Sequence, residues 1–383
     1  MSEALQLLGG LTVKQFVDEY WQKKPLLVRN AFPDFQSPLT ADELAGLACE
    51  NEVESRIILE KDGPSPWTIE HGPFEESRFT SLPETHWTLL VQGVDTWVAE
   101  VAELIEPFRF IPDWRIDDIM ISYAPEQGSV GPHLDHYDVF LIQAEGHRHW
   151  QLNTKPYTDD DCIPGIPLSI LKNFEAGQEW TLAPGDMLYL PPNVAHYGVA
   201  QDECMTYSVG FRAPEKSEIL TAFIDDLLPA LTEAQCYEDS DLQIQQNPGE
   251  ISAHTLGKIQ DIIRLKAYDD YQINHWFGRY ITEPKHAPET VTDNLNISEV
   301  RQLLEKHSVI HRDAQSRYAF ITGKNNSTLF INGEEYPCNN KFARFICQNR
   351  YYDSDKLLAF MTGETANLIT RLINNQLLLP SDE

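Results

Sequence analysis

Basic residues are scarce in this 383-residue chain: 29 Lys and Arg stand against 59 Asp and Glu, a formal net charge of −30. A surface that negative repels nucleic-acid phosphates and anionic lipid, which argues against non-specific binding to either. Closely spaced cysteines are missing as well. Cys49, Cys162, Cys204, Cys236, Cys338 and Cys347 form no Cys-x-x-Cys pair, so structural zinc, a redox dithiol and a disulfide framework are all disfavoured and most read as buried thiols. No stretch approaches the ~20 apolar residues of a membrane span. The opening from Met1 to Phe16 lacks a basic segment followed by a long apolar one, so the chain is expected to be cytoplasmic. Internal repeats and low-complexity tracts are absent too. With 42% hydrophobic and 10% aromatic residues the chain can bury real cores, which excludes disorder and suits two or three domains.

Apolar residues at Val13, Phe16, Val17, Tyr20 and Trp21 keep helical spacing; Pro25 ends the pattern, and Leu26 to Arg29 reads as a strand. Thr40 with Glu43 three residues on predicts a capped second helix. Between about 110 and 215 the texture changes to short strands: Asp118 to Ala124, Val139 to Ala144, Arg148 to Asn153, Met187 to Leu190 and Met205 to Phe211. Gly- and Pro-rich turns divide them, as in a barrel or sandwich. Helices are predicted over Ile219 to Leu231, capped by Ser217, then around His254 to Leu265 and Asp269 to Ile281, with a polar loop at 243–249 and a linker at 282–289. These helices carry apolar residues on more than one side, which suits packing against a second copy. The remainder reads as a helix capped by Ser298, strands near Ser308 to Arg312, Tyr318 to Ile321 and Thr328 to Ile331, and helices from Asn340 and Thr365.

That last order is similar to a winged helix, a shape often used on DNA. Charge decides against that use. Residues 291–383 carry 10 basic and 11 acidic side chains and offer no basic stripe, while residues 1–290 hold 19 basic and 48 acidic ones. The acidic excess therefore belongs to the strand-rich and middle-helix regions, whose expected partner is a basic protein.

The informative segment runs Gly131-Pro132-His133-Leu134-Asp135-His136-Tyr137-Asp138. A histidine and a carboxylate two apart at an extended strand end point to one side. His-x-Asp alone reads equally as a solvated turn, but the strand after Pro184-Gly185-Asp186 ends in a Pro-Pro turn followed by His196, which supplies a third ligand. Two imidazoles and a carboxylate fill one face of an octahedral ion and leave three positions open, as non-haem Fe(II) oxygenases require for cosubstrate and O2; a closed zinc site leaves none. His136 is expected on the opposite side from Asp135. His147 and His149 flank Arg148 and face away from it, to the surface.

Arg148 stands on the returning strand with Trp150 and Leu152 on its own face, so it points inward, where a guanidinium needs an anion. Either a protein carboxylate pairs with it, or it captures the distal carboxylate of 2-oxoglutarate; the neighbouring metal set favours the second. Asp118, Met120, Ser122 and Ala124 share one strand face, and Thr206, Ser208 and Gly210 share another. Asp118 is then a surface charge or a carboxylate for a cationic substrate, and Ser208 a core hydroxyl or a substrate contact.

These residues, with the entry Phe16, Tyr20, Trp21 and Pro25, the run from Pro112 to Ser122 and the close Tyr207 to Pro214, resemble the JmjC-type cupin ribosomal oxygenases, and within them the bacterial arginine hydroxylases of the YcfD/RoxA type. The resemblance covers nearly the whole chain. It implies an α+β fold: a JmjC double-stranded β-helix (cupin) domain over 1–214 with its core at 110–214, a helical dimerisation region over 215–283, and a winged-helix domain over 291–383 that does not bind DNA. It implies a homodimer that uses Fe(II), 2-oxoglutarate and O2 to hydroxylate Cβ of an arginine in the large-subunit ribosomal protein numbered sixteen. Position by position, His133, Asp135 and His196 match the iron ligands and Arg148 the cosubstrate residue. Asp118, Met120, Tyr137 and Ser208 fall where similar enzymes hold the target arginine. A serine that assists the cosubstrate in a relative falls at Ala124, so Ser122 or another hydroxyl is expected to replace it. The alternatives are a histidine hydroxylase or demethylase acting on a ribosomal protein, and a non-catalytic cupin binding module.

Overall fold

The computed structural model describes residues 3–60, 67–166, 168–212, 214–230, 237–238, 240–241, 251–263, 270–285 and 294–381. The polar loop expected at 243–249, Cys236 and the second half of the expected linker, 286–289, lie outside them. The chain divides into two compact units, Met1–Ala213 and Pro214–Glu383.

The first unit begins with helix α1 (Val13–Glu19), closed at its start by a reciprocal Thr12–Gln15 capping box. Strand β1 (Leu26–Val28) and helix α2 (Ala41–Leu47) follow, the latter with the expected Thr40–Glu43 box. Next come β2 (Ser55–Glu60), β3 (Trp67–His71), β4 (Trp87–Val91), β5 (Ile116–Ala124), β6 (Asp138–Glu145), β7 (Arg148–Asn153), β8 (Gln178–Leu182), β9 (Met187–Leu190), β10 (Ala195–Ala200) and β11 (Cys204–Phe211). Eight strands form one antiparallel sheet in the order β1-β9-β6-β11-β5-β4-β2-β3, and β8-β7-β10 form a second.

Strand alternation sorts the large sheet into two faces. Ile119, Ile121, Phe140, Ile142, Met205, Tyr207 and Val209 join a core with Phe16 and other N-terminal residues. The opposite residues Val139 and Leu141 meet Trp150, Leu152 and Leu182 of the small sheet in a separate inner core. The inner face of β5 therefore carries Asp118, Met120, Ser122 and Ala124, and that of β11 carries Thr206, Ser208 and Gly210. A buried latch holds the N-terminal segment to this sheet: Asp138, fully enclosed, accepts from Tyr189 Oη (2.6 Å), Gln22 Nε2 (2.9 Å) and Arg115 Nη2 (3.4 Å).

The sheet reaches further along the chain than expected: β1 to β4 precede residue 92, so the large sheet is not confined to 110–214. β2 and β4 are buried almost throughout, so they show a continuous apolar run rather than alternation.

In the second unit, α3 (Lys216–Leu227), α4 (Ala253–Ile263) and α5 (Asp270–Thr282) precede α6 (Ile297–Lys306), β12 (Val309–Arg312), β13 (Tyr318–Thr322), β14 (Asn326–Ile331), β15 (Glu334–Asn339), α7 (Asn340–Gln348), β16 (Tyr351–Asp353), α8 (Gly363–Asn374) and β17 (Leu378–Pro380). Two small sheets form, β16-β12-β17 and β13-β14-β15. The caps differ from expectation: Glu215, not Ser217, starts α3, and Asn296, not Ser298, starts α6. In each case the acid three residues beyond the true cap, Glu218 or Glu299, completes a capping box. Helix α5 packs on β13 and β14. A Cβ at Gly278 would lie 2.4–2.6 Å from the Phe330 ring, and Glu335 pairs with both His275 (2.8 Å) and Arg279 (2.6 Å). The third helix of the presumed dimerisation region is thus built into the packing of the C-terminal module.

Candidate active site

His133 and His196 are 63 positions apart, yet their backbones exchange two hydrogen bonds, His133 N to His196 O at 3.0 Å and the reverse at 2.8 Å. His196 is not at the end of β9 but the second residue of β10, and His133 lies in the segment before β6, not within a regular strand. Gly131 makes the turn ahead of it at φ +80°, with Ile170 packed where a side chain would go. Both Nδ1 atoms sit on backbone carbonyls, His133 on Gly131 O (2.8 Å) and His196 on Val194 O (3.0 Å). In each ring Nδ1 then carries the proton and Nε2 keeps its lone pair for a metal.

Asp135 Oδ2 stands 3.6 Å from His196 Nε2, and the ligand atoms of His133, Asp135 and His196 all lie within 4.8 Å of one another. The Asp135 carbonyl accepts from Asn193 N at 2.7 Å, and Asn193 Oδ1 also engages the exposed His136 at 2.7 Å, which keeps that histidine out of the cluster. Burial first, and the adjacent His133 second, push His196 down to about 4, so it is neutral and able to ligate at pH 7. Nitrogen and oxygen donors in this two-to-one set fit a ferrous ion. Asp186 is no ligand: it accepts from Arg29, Asn30 N and Ala183 N and fixes the turn before β9. His147 and His149 pair with Asp202 and Glu179 away from the cluster.

Arg148 is 4% exposed on the inner face of β7. Among the described residues its Nε and Nη2 meet no hydrogen-bond partner, and Nη1 has only a long 3.4 Å contact to Ser122 Oγ. Among the described residues no carboxylate pairs with it, so a structural salt bridge is not what holds it there. Around it lie small residues: Ala124, Ala200 and Cys204 form one buried group, with Cys204 directly across the β5–β11 ladder from Ala124. Burial pushes the Cys204 thiol up, while the nearby Arg148 cation pulls the other way.

The inner face continues toward Asp118, 4% exposed, whose two oxygens accept from Gln92 Nε2 at 3.0 and 2.9 Å. Gln92 follows an apolar strand and carries no sequence signal for this contact. Tyr137 is 42% exposed; burial first and Asp135 second push its hydroxyl up, while Arg56 pulls the other way. Met120 packs against Ile58, Trp67, Leu90 and Ile170, and Ser208 is its cross-strand partner. The sequence-selected strand residues thus lie on the facing sides of the two sheets, with the 133–137 segment beside them.

Residues 103–219 match the family model described as a JmjC domain, and residues 259–378 match the ROXA-like winged helix. The chain is 39% identical over 296 residues to the ribosomal protein uL16 3-hydroxylase of Escherichia coli strain K12, covering 74% of this chain and 78% of that protein. It is 37% identical to a probable ribosomal oxygenase of Haemophilus influenzae, covering 85% and 82%. The crystal structure of E. coli YcfD superposes with a TM-score of 0.87 at 31% identity, over 97% of this chain and 98% of that one. A further YcfD structure, in complex with cobalt and 2-oxoglutarate, matches with a TM-score of 0.83 at 31% identity, covering 97% and 99%.

An unpaired buried cation destabilises the fold that encloses it. Arg148→Met should therefore leave the melting temperature of the metal-free protein unchanged or raised. A fall of several degrees in a thermal melt would mean that Arg148 has a structural partner after all.

Proposed function

Because the chain belongs to the JmjC-domain ribosomal oxygenases, we propose that it is an Fe(II)- and 2-oxoglutarate-dependent oxygenase that hydroxylates Cβ of an arginine in ribosomal protein uL16. The observation that carries this reading is a buried guanidinium, without a carboxylate partner among the described residues, beside a two-histidine, one-carboxylate cluster. His133, Asp135 and His196 would hold the ion. Bound there, Fe(II) supplies O2 activation coupled to oxidative decarboxylation of 2-oxoglutarate to succinate and CO2.

The remaining tasks fall to the chain's own groups. Arg148 takes the distal carboxylate of the cosubstrate, assisted by the Ser122 hydroxyl in place of the missing serine at Ala124. Asp118, oriented by the neutral amide of Gln92, receives the target guanidinium. Tyr137 stacks on the guanidinium plane, while Met120 and Ser208 line the side-chain path. A histidine substrate would leave Asp118 without an equivalent task.

The acidic excess of residues 1–290 suits a basic ribosomal protein, and nothing in the charge pattern invites nucleic acid. The winged-helix module is read as structural or protein-contacting. A ribosomal-protein substrate suits a cytoplasmic location. Among the described residues no helix is long and apolar enough to cross a membrane. A homodimer accounts for apolar side chains left exposed on the middle helices, among them Leu220 (60%), Leu228 (54%) and Ile262 (55%).

Four outcomes follow. Incubation of a uL16 peptide with the protein, iron and 2-oxoglutarate should add the mass of one oxygen atom. Asp118→Ala should cut that turnover at least tenfold, roughly the worth of a charge-assisted pair, while uncoupled 2-oxoglutarate decay changes far less; equal losses in both would argue against a substrate role. Raising ionic strength should raise KM for intact uL16, and a flat response would contradict the electrostatic reading. Light scattering should give twice the chain mass for the wild type and a single chain mass for Leu220→Glu with Ile262→Glu. An unchanged mass in both proteins would rule these helices out as the contact.

A further inference from the structure

Among the described residues, the inner face of β7 carries a second buried donor without a partner. Besides Arg148 Nε and Nη2, the indole Nε1 of Trp150 is enclosed and meets no acceptor among them. Buried N–H groups left unpaired are rare and costly, so a donor kept in this state on a ligand-facing strand calls for an acceptor that arrives from outside.

Trp150 is 5% exposed and cannot easily turn away. The β7–β10 ladder sets Gly198 opposite it, and a Cβ on Gly198 would fall 2.6–2.8 Å from Cζ3, Cε3 and Cη2 of the indole. The benzene part of the ring thus fills the space a side chain at 198 would take, and the N–H edge faces away from that strand. The same ladder pairs Leu152 with His196, Trp150 with Gly198 and Arg148 with Ala200. Trp150 therefore stands between the metal ligand and the guanidinium, its ring 5.9 Å from the His196 ring and 5.6 Å from Arg148 Cζ.

We propose that Trp150 binds the cosubstrate directly, its indole N–H donating to a carboxylate oxygen of the 2-oxoglutarate that Arg148 captures. The inference rests on the cosubstrate reading above. Chemistry selects the cosubstrate over the target side chain: a guanidinium offers only donors, whereas a dicarboxylate reaching from the metal toward Arg148 presents acceptor oxygens at both ends. An indole N–H also keeps its donor at every pH, so the contact does not depend on a titrating group.

The test uses the full-length protein, loaded with Zn(II) as a diamagnetic stand-in that does not react with O2, and labelled with nitrogen-15 at its eight tryptophans. The indole signal absent from Trp150→Phe belongs to Trp150; Trp150→Tyr supplies the assignment should the phenylalanine variant fail to fold. Adding 2-oxoglutarate should move that signal downfield. By calorimetry, the Kd for 2-oxoglutarate should rise about tenfold or more in the variant, the loss expected for a charge-assisted hydrogen bond. If wild type binds 2-oxoglutarate while the Trp150 signal stays in place and the variant binds equally well, the inference is wrong. If wild type does not bind it at all, the cosubstrate reading fails first and takes the inference with it.

Discussion

Two backbone hydrogen bonds between His133 and His196 organise the rest of the site. They turn residues far apart in sequence into immediate cross-strand neighbours before any metal contributes. Because each imidazole is also tied through Nδ1 to a backbone carbonyl, the ligand geometry belongs to the fold rather than to flexible side chains. Asp135 joins them through a loop held at its carbonyl by Asn193, a residue at φ +63° in the turn that launches β10. One short turn thus positions both the carboxylate and the second histidine.

A second constraint is set by the barrel interior, which encloses a cation whose charge the described residues do not meet: among them no carboxylate pairs with Arg148. Such an arrangement lowers stability in the free protein and is tolerated where binding supplies the missing charge. The apolar outer core around Phe16, Phe140 and Tyr189 is the counterweight, densely packed and fully buried. Preorganisation of the site is therefore underwritten on the opposite side of the same sheet.

Much of this was legible in the sequence because its signals are local. His-x-Asp, the alternation on β5 and β11 and the Arg148–Trp150 spacing depend only on residues close together in the chain; the period of two holds for the strands, whereas His133 and Asp135 converge in a segment that is not a regular strand. What escaped had non-local or two-sided causes. β2 and β4 are enclosed on both faces and so lack alternation; β10 follows the Pro-Pro turn too closely to be separated from β9 by pattern alone. Gln92 reaches Asp118 only because β4 pairs with β5, a pairing no single segment announces. The misplaced caps have a different origin. Ser217 and Ser298 are good capping residues by type, but the reciprocal partner three residues on decides, and it selected Glu215 and Asn296.

The composition of the large sheet bears on how this chemistry can be inherited. β5, the strand that carries Asp118 and Ser122, is sandwiched between β11 and β4, and β4 comes from a stretch that precedes the JmjC-matched segment 103–219. Cutting the chain at that segment's start would strip one side of β5 to a bare, hydrogen-bonding edge and uncover the apolar face that packs on α1, the features that drive strand-to-strand aggregation. The ligand-bearing segment is therefore not a portable cassette. Recombination or engineering that moves the activity to another protein must carry the first hundred residues along with it.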